Sequence, residues 1–302
     1  MSTDPTAEPP RPDVRTAFER ATAVVATADG RYVGDVDDDW SAPTGPNGGY
    51  LAAIAVRALV ARMAGEGSWR LRSLTCHYLR RARNGPIELR VDVIRAGRRT
   101  ASARLTGIQE GRETIAVLAA FTAPGLAEAA AWGPSMPDVA PPPDPDAEPV
   151  EAAAYRRRSG RWIAPFPQMP PIVQRVRVAP QLGGVPFAGR PPEPGAAVET
   201  GGWIALAEPQ RIDVAALVFF TDIWWPPAFD ALSAPAVAPT IELTVHVRCD
   251  VPDAGLPHGP VLGHYRSPAA VGGLVDEDAS VFLPDGTLAV QSRQISLLAP
   301  VG

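Results

Sequence analysis

The chain has 302 residues, of which 46% are hydrophobic and 20% charged, with a formal net charge of −5. This is the composition of a globular protein with a core, and its acidic balance excludes the basic footprint expected of a nucleic-acid binder. Cys76 and Cys249 are the whole thiol inventory, too small for a disulfide framework, so a reduced, cytoplasmic setting is expected.

The opening M-S-T-D-P-T-A-E-P-P-R-P lacks an apolar signal core, and residues 1–19 read as a disordered lead-in. No membrane segment is expected: Val214–Phe220 is far too short to span a bilayer, and the run Leu51–Val60 is interrupted by Arg57. From Ala21 to Trp40 the pattern predicts two short strands around a D-G turn. G-P-N-G-G-Y then opens a helix of good helix formers, apolar nearly all round and therefore buried, which Gly65–Gly67 ends. Strands are expected over Leu71–Arg80, Ile87–Arg95, Thr100–Gln109 and Thr114–Thr122. In I-E-L-R-V-D-V-I apolar and polar residues alternate, as in a sheet with one wet face.

Residues 124–160 hold P-D-V-A-P-P-P-D-P-D-A-E-P, which suits a linker and neither a helix interior nor a central strand. Beyond it the order repeats. I-V-Q-R-V-R-V and G-G-W-I-A-L read as strands, Ile212–Trp225 as a helix, and P-T-I-E-L-T-V-H-V-R as the next strand. G-P-V-L-G-H-Y, E-D-A-S-V-F-L and T-L-A-V-Q-S-R-Q-I complete the set. S-L-T-C-H-Y-L-R, ending at Arg80, matches I-E-L-T-V-H-V-R, ending at Arg248; the strand ending at Phe121 matches the one ending at Gln294. A repeat of roughly 170 residues suggests two copies of one domain in tandem. The expected units are an N-terminal domain over 20–123 and a C-terminal domain over 161–302.

Common reaction motifs are absent. There is no G-x-S-x-G elbow, Walker loop or G-x-G-x-x-G, and the histidines at 77, 246, 258 and 264 lack zinc-ligand spacing. One carboxylate stands out: Asp222 lies in L-V-F-F-T-D-I-W-W-P, the most apolar and aromatic stretch, where an unpartnered ion costs several kcal/mol or more, of order. It is either a solvent-facing acid at a helix end or an acid or base required in an apolar place. Gly48 and Gly49 open the first buried helix, where unpaired N–H groups could meet a developing oxyanion and glycine permits close approach. Equally, Asn47 could cap that helix while the glycines allow tight packing.

With N-G-G-Y-L-A-A-I-A on its first helix, C-H-Y-L-R-R-A-R-N-G-P-I-E-L-R-V-D-V-I-R-A-G-R-R-T-A-S-A-R after it, and G-G-W-I-A-L-A-E-P later, the chain resembles the double hot-dog acyl-CoA thioesterases of the bacterial thioesterase II type. It is especially similar to their Pro- and Arg-rich actinobacterial branch, and the resemblance covers residues 20–123 and 172–298. It implies an α+β tandem double hot-dog, each half a curved antiparallel sheet wrapped around a central helix. It also implies an acyl thioester hydrolase in which an Asp, a Thr and a Gln of the second half hold the attacking water. Carried over singly, these fall on Asp222 of F-F-T-D, within the second helix, on Thr240 of P-T-I-E, and on Gln294, eight residues past Gly286 of the last D-G turn.

On that reading backbone N–H groups near Gly48 and Gly49 receive the thioester oxygen. Tyr50, His77 and Trp224 are candidate substrate contacts, and R-A-G-R-R is either a solvated hairpin or a phosphate contact. No metal, cofactor or covalent intermediate is required. The partner is an acyl-CoA or acyl-carrier thioester, with no nucleic acid or membrane, and a homodimer is compatible with the resemblance. The segment between Asp222 and Thr240 is shorter than in better-known members and carries W-W-P-P. The first half offers Phe121 opposite Gln294 and no acid in its helix, so a single equipped site is expected. Two alternatives stay open: a repurposed hot-dog enzyme performing dehydration, isomerisation or cyclisation in polyketide or lipid biosynthesis, and a non-catalytic acyl-binding protein. For the first, the only Asp-x-x-x-x-His spacing sought runs from Asp253 to His258, in a loop.

Overall fold

Each half of the chain lays down six long strands and one helix against their inner face. The first half contains β1 (Val24–Ala28), β2 (Arg31–Val36), β3 (Arg70–Tyr78), β4 (Gly85–Ala96), β5 (Thr100–Gln109) and β6 (Arg112–Thr122). The second contains β7 (Val176–Leu182), β8 (Val198–Leu206), β9 (Thr240–Val247), β10 (Val261–Ser267), β11 (Leu274–Phe282) and β12 (Leu288–Leu297). A short helix α1 (Ala17–Ala21) precedes β1; α2 (Gly48–Ala64) lies between β2 and β3, and α3 (Val214–Phe220) between β8 and β9. The computed structural model describes residues 15–126, 130–151, 160–165 and 169–301. Residues 1–14 of the expected lead-in, and 127–129 and 152–159 of the expected linker, lie outside the described residues.

All twelve strands join one antiparallel sheet in the order β1-β2-β4-β5-β6-β3-β9-β12-β11-β10-β8-β7, with Ala270–Val271 pairing onto β11 as a thirteenth strand. Counted from either edge, corresponding strands of the two halves occupy corresponding places. At the middle β3 pairs with β9, Thr75 opposite Thr244, and their hydroxyls hydrogen-bond at 2.8 Å. This pairing corrects the repeat register read from the sequence. Thr75 and Thr244 are equivalent, so His77 corresponds to His246 and Leu71 to Thr240. Leu74 pairs with Ala119 and Leu243 with Gln294, so the counterpart of Gln294 is Ala119, not Phe121. Matching shifts at Leu71/Ser73 and Thr240/Glu242 set the pairing; the one-residue slip between β3 and β9 exchanges the two faces of the strand, whereas the two-residue slip from Phe121 to Ala119 keeps the same face.

The second helix is shorter than expected, Val214–Phe220 rather than Ile212–Trp225, and Asp222 lies just beyond it. At Thr221, the N–H and hydroxyl both turn back on the Val218 carbonyl, at 3.1 and 2.8 Å, and the Asp222 N–H reaches the Phe219 carbonyl at 3.1 Å. These tight bonds close the last turn, and Pro226 and Pro227 cannot supply donors to prolong it. Pro170 and Pro171 act similarly: residues Pro171–Arg175 form a 3-10 turn, so the strand expected from Ile172 begins at Val176.

Helix α2 is buried on nearly every side, from Gly49 to Met63, between the sheet and α3. Four rings clamp its start to the end of α3: Phe18 of α1, Trp40, Tyr50 and Phe219, with centroids 5.2–5.5 Å apart. Burial of each such side chain contributes roughly 1.5–3 kcal/mol. On the other side of the second half, Trp162, Trp203, Leu262 and Phe282 form a smaller core against Met136, Val139 and Ala147 of the Pro-rich stretch. The Trp203 and Trp162 indoles donate to the Ala140 and Asp144 carbonyls, each at 2.9 Å. No helix among the described residues is long and apolar enough to cross a membrane.

Candidate active site

The end of α3 meets the start of α2. Asn47 caps α2, its side-chain carbonyl accepting from the Tyr50 N–H at 2.9 Å, while its amide nitrogen donates to the Asp222 backbone carbonyl at 2.7 Å and to Asp222 Oδ2 at 3.1 Å. The Gly49 N–H donates to the same Oδ2 at 2.7 Å. An unpaired first-turn N–H therefore meets a carboxylate at the positive end of a helix dipole, where negative charge is favoured. The glycines are required by space. A Cβ on Gly49 would stand 2.9 Å from the Asp222 Cβ and 3.0 Å from the Phe219 carbonyl oxygen, and one on Gly48 would stand 3.0 Å from Asp222 Oδ2.

The other carboxylate oxygen faces the sheet. Gln294, inward-facing on β12, donates from Nε2 to Asp222 Oδ1 at 3.0 Å and to Glu277 Oε1 of β11 at 3.0 Å. Its carbonyl accepts from the Thr240 hydroxyl at 2.9 Å. Asp222, Thr240 and Gln294 are thus joined in one chain of hydrogen bonds. Burial raises the Asp222 carboxyl above its ordinary value, opposed by the donors from Gly49, Gln294 and Asn47. Glu277 is pushed well above the ordinary range, first by burial and then by the neighbouring Asp222 charge; Gln294 acts in the opposite sense.

These groups line a cavity of about 550 Å³ bounded by the start of α2, the Leu79–Ala82 turn, Trp224 and the start of β9. Asp222, Thr240, Gln294, Gly48 and Trp224, all singled out in the sequence, are on its wall. The Trp224 ring is held by its indole N–H on the Thr200 hydroxyl at 3.1 Å and by stacking on Tyr265, centroids 5.8 Å apart. The remaining candidates are not brought there. Gly49 lies behind the wall, its N–H spent on Asp222. Tyr50 points back into the core, its hydroxyl donating to the Ala21 carbonyl and accepting from the Asp37 N–H. His77 is exposed on the far face of the sheet because strand residues alternate, and its neighbour Tyr78 faces the cavity, donating to the Gly48 carbonyl at 2.7 Å. The R-A-G-R-R hairpin is also absent from the cavity, where Arg80 and Arg81 stand at the wall.

Asn47, expected only as a helix cap, and Glu277 are among the cavity residues that the sequence did not point to. The alternation along Leu274–Phe282, with Val275, Glu277, Ala279 and Val281 facing in, carried the signal for Glu277. A second cleft, of about 710 Å³, occupies the corresponding place in the other half. Counting from the caps Asn47 and Asp213, the counterpart of Asp222 is Val56. With Leu71 for Thr240 and Ala119 for Gln294, this cleft has none of the three polar groups. Instead Arg57 is bonded to the Asp213 cap and, at 3.2 Å, to Thr22. Asp253 also belongs to this cleft, paired with Arg70 at 2.6 Å, so Asp253 and His258 are not part of the Asp222 cavity.

A family model for the acyl-CoA thioesterase N-terminal domain matches residues 36–123, and one for the C-terminal domain matches residues 137–298. Among solved structures, a conserved protein of unknown function with hot-dog fold from Alicyclobacillus acidocaldarius is similar at 25% identity and a TM-score of 0.78. The match covers 95% of this chain and 100% of that one. An acyl-CoA thioesterase II from Mycobacterium marinum superposes with a TM-score of 0.67 at 18% identity, over 95% of this chain and 99% of its own. The comparison with curated proteins returned no match. The fold is a hot-dog fold, and the chain belongs to the double hot-dog acyl-CoA thioesterase family.

Proposed function

We propose that this protein hydrolyses an acyl-CoA or acyl-carrier thioester with a water held by Asp222, Thr240 and Gln294. The observation that carries the reading is the hydrogen-bonded chain Asp222–Gln294–Thr240 on the wall of a cavity that opens at the start of α2. Because the Gln294 carbonyl takes the Thr240 hydroxyl proton, the Thr240 oxygen is left to accept. A water donating one hydrogen to Thr240 and the other to Asp222 would point a lone pair at the thioester carbon. Asp222 takes the proton as the C–O bond forms, and the carbon–sulfur bond then breaks with its electrons on the thiolate. Among the described residues no acceptor takes the Gly48 N–H, and we assign it, rather than Gly49, to the developing oxyanion.

In the same reading residues 20–123 and 161–302 are two hot-dog units in tandem around α2 and α3, with 124–160 between them. Only the Asp222 cavity carries out the reaction. A homodimer and a cytoplasmic setting accompany it as expectations that light scattering and cell fractionation check. The test of function is a panel of acyl-CoA esters with thiol release as the readout, followed by single-turnover cleavage in Asp222→Asn. Hydrolysis by wild type and its loss in the variant are expected. Cleavage undiminished in the variant removes Asp222 from the mechanism, and silence across all chain lengths favours the acyl-binding or repurposed alternatives.

A further inference from the structure

Glu277 has no role in the hydrolysis just described, yet it is only 4% exposed and on the wall of the same cavity. It lies directly across from Gln294 in the pairing of β11 with β12. The Gln294 amide has two N–H groups and one carbonyl, and all three are spent: on Asp222, on Glu277 and on Thr240. Turned the other way, the amide would direct its carbonyl oxygen at two carboxyl groups and its N–H groups at a hydroxyl. The Asp222 carboxylate, which can only accept, selects the orientation that leaves the Thr240 oxygen able to accept from a water, and the Glu277 carbonyl oxygen holds the second N–H in place.

The two carboxyls are not equivalent. Asp222 receives side-chain or backbone N–H donors from Gly49, Asn47 and Gln294, whereas Glu277 receives the Gln294 N–H alone. No cation among the described residues forms an ion pair with either. The other ionisable groups facing Glu277 are Asp222 from beyond α3 and the Tyr265 phenol from β10; Asp278, on its own strand, is engaged by Arg293. None of these is a cation, and of two adjacent acids the less solvated one keeps the proton.

We propose that Glu277 is a positioning residue of the hydrolytic centre: held neutral, it anchors the Gln294 amide in the orientation that presents Thr240 to water, and its ionisation at alkaline pH slows turnover. The inference rests on the hydrolase reading. Burial and the Asp222 charge, which both favour its neutral form, agree with it. Ionised Glu277 would add negative charge to the wall against which the oxyanion develops, and that opposes the transition state.

Three variants and one spectrum test this. Glu277→Leu frees the amide and is expected to lower kcat about 10²-fold, with KM little changed, as for a small misplacement of a reacting group. Glu277→Gln, a neutral side chain that still offers a carbonyl to Gln294, is expected to recover much of that loss and to lack the alkaline decline of wild type. Asp222→Asn serves as the reference for a dead centre. Infrared difference spectra of wild type against Glu277→Gln should show a protonated carboxyl band at neutral pH that titrates away on the alkaline side. The spectrum does not depend on turnover, so it holds even where no thioester is cleaved. An ionised Glu277 at neutral pH, full activity in Glu277→Leu, or identical pH profiles for wild type and Glu277→Gln each overturns the proposal. Absence of hydrolysis in wild type, with the carboxyl band present, overturns the hydrolase reading and removes the catalytic role while leaving Glu277 neutral.

Discussion

Asp222 accepts the N–H of Gly49 at 2.7 Å, so the residue that follows one short helix is fastened to the first turn of the other. The two residues are 173 apart in sequence, and the contact passes between the two halves. Gly49→Ala is therefore expected to act at a distance from its own helix. Its Cβ would meet Asp222 and the Phe219 carbonyl at 2.9 and 3.0 Å, and backbone cannot yield as a flexible side chain does. Turnover should fall about 10²-fold through displacement of the carboxylate, while the far-ultraviolet circular dichroism stays that of wild type.

Asn47 serves two ends at once, capping α2 and donating to Asp222. Asn47→Ala removes both and should lower stability by about 1 kcal/mol in a denaturant titration. Asn47→Asp keeps a good cap but sets a second carboxylate beside Asp222, which raises the Asp222 pKa further. The acid limb of the kcat/KM profile should accordingly lie above the ordinary aspartate range in wild type, because burial raises Asp222, and higher again in Asn47→Asp, which loses stability at neutral pH because an aspartate oxygen cannot donate to the Asp222 carbonyl and carboxylate as the Asn47 amide does.

Glu277 also predicts how stability responds to pH. Its pKa in the folded protein lies above the unfolded value. Between those two values the folded state holds more protons than the unfolded state, so stability falls as pH rises through the window. Thermal melts from the ordinary glutamate range upward in pH should show wild type losing Tm faster than Glu277→Gln, which has no proton to lose. An equal slope for the two proteins would mean that Glu277 ionises freely in the fold.

His77 and Tyr78 are adjacent in sequence and on opposite faces of β3. His77→Ala is expected to leave kcat and KM at wild-type values. Tyr78→Phe loses the hydroxyl that donates to the Gly48 carbonyl, worth about 1 kcal/mol, or roughly fivefold if the loss is felt in the transition state. Steady-state kinetics on the two variants separate the faces.

Much of this arrangement was readable along the chain because its signals are local. The N-G-G-Y start of α2 and its stop at Gly65 were both in the residues, as was the alternation of β4 and β5. The capping box Thr16–Glu19 that starts α1 was equally present and was overlooked inside an apparent lead-in. The extent of α3 was overestimated because a run such as L-V-F-F-T-D-I-W-W has no breaker before Pro226. The helix ends instead at Thr221, whose own side chain competes for the backbone. Which residues share the cavity was less legible. Whether His77 or Tyr78 faces it depends on strand register, and register is settled by pairing between strands far apart in sequence. Glu277 was hidden for a related reason: in V-D-E-D-A it is one acid among three, and only its inward position separates it from Asp276 and Asp278.

The pairing of β3 with β9 makes the two halves parts of one sheet, and it also separates what each half answers for. With Val56, Leu71 and Ala119 in the places of Asp222, Thr240 and Gln294, the first half answers to turnover only where residues 42–51 and 78–82 reach the Asp222 cavity; elsewhere its changes are constrained by whether the shared sheet still forms. Changes in the second half must satisfy that condition and turnover as well. Drift in this lineage should therefore be lopsided, with the cleft around Arg57 free to diversify in size and polarity while the cavity around Asp222 holds its chemistry. On the proposed function, a tandem architecture with one reacting centre keeps a second copy of the scaffold in which new binding properties can arise without loss of the original activity.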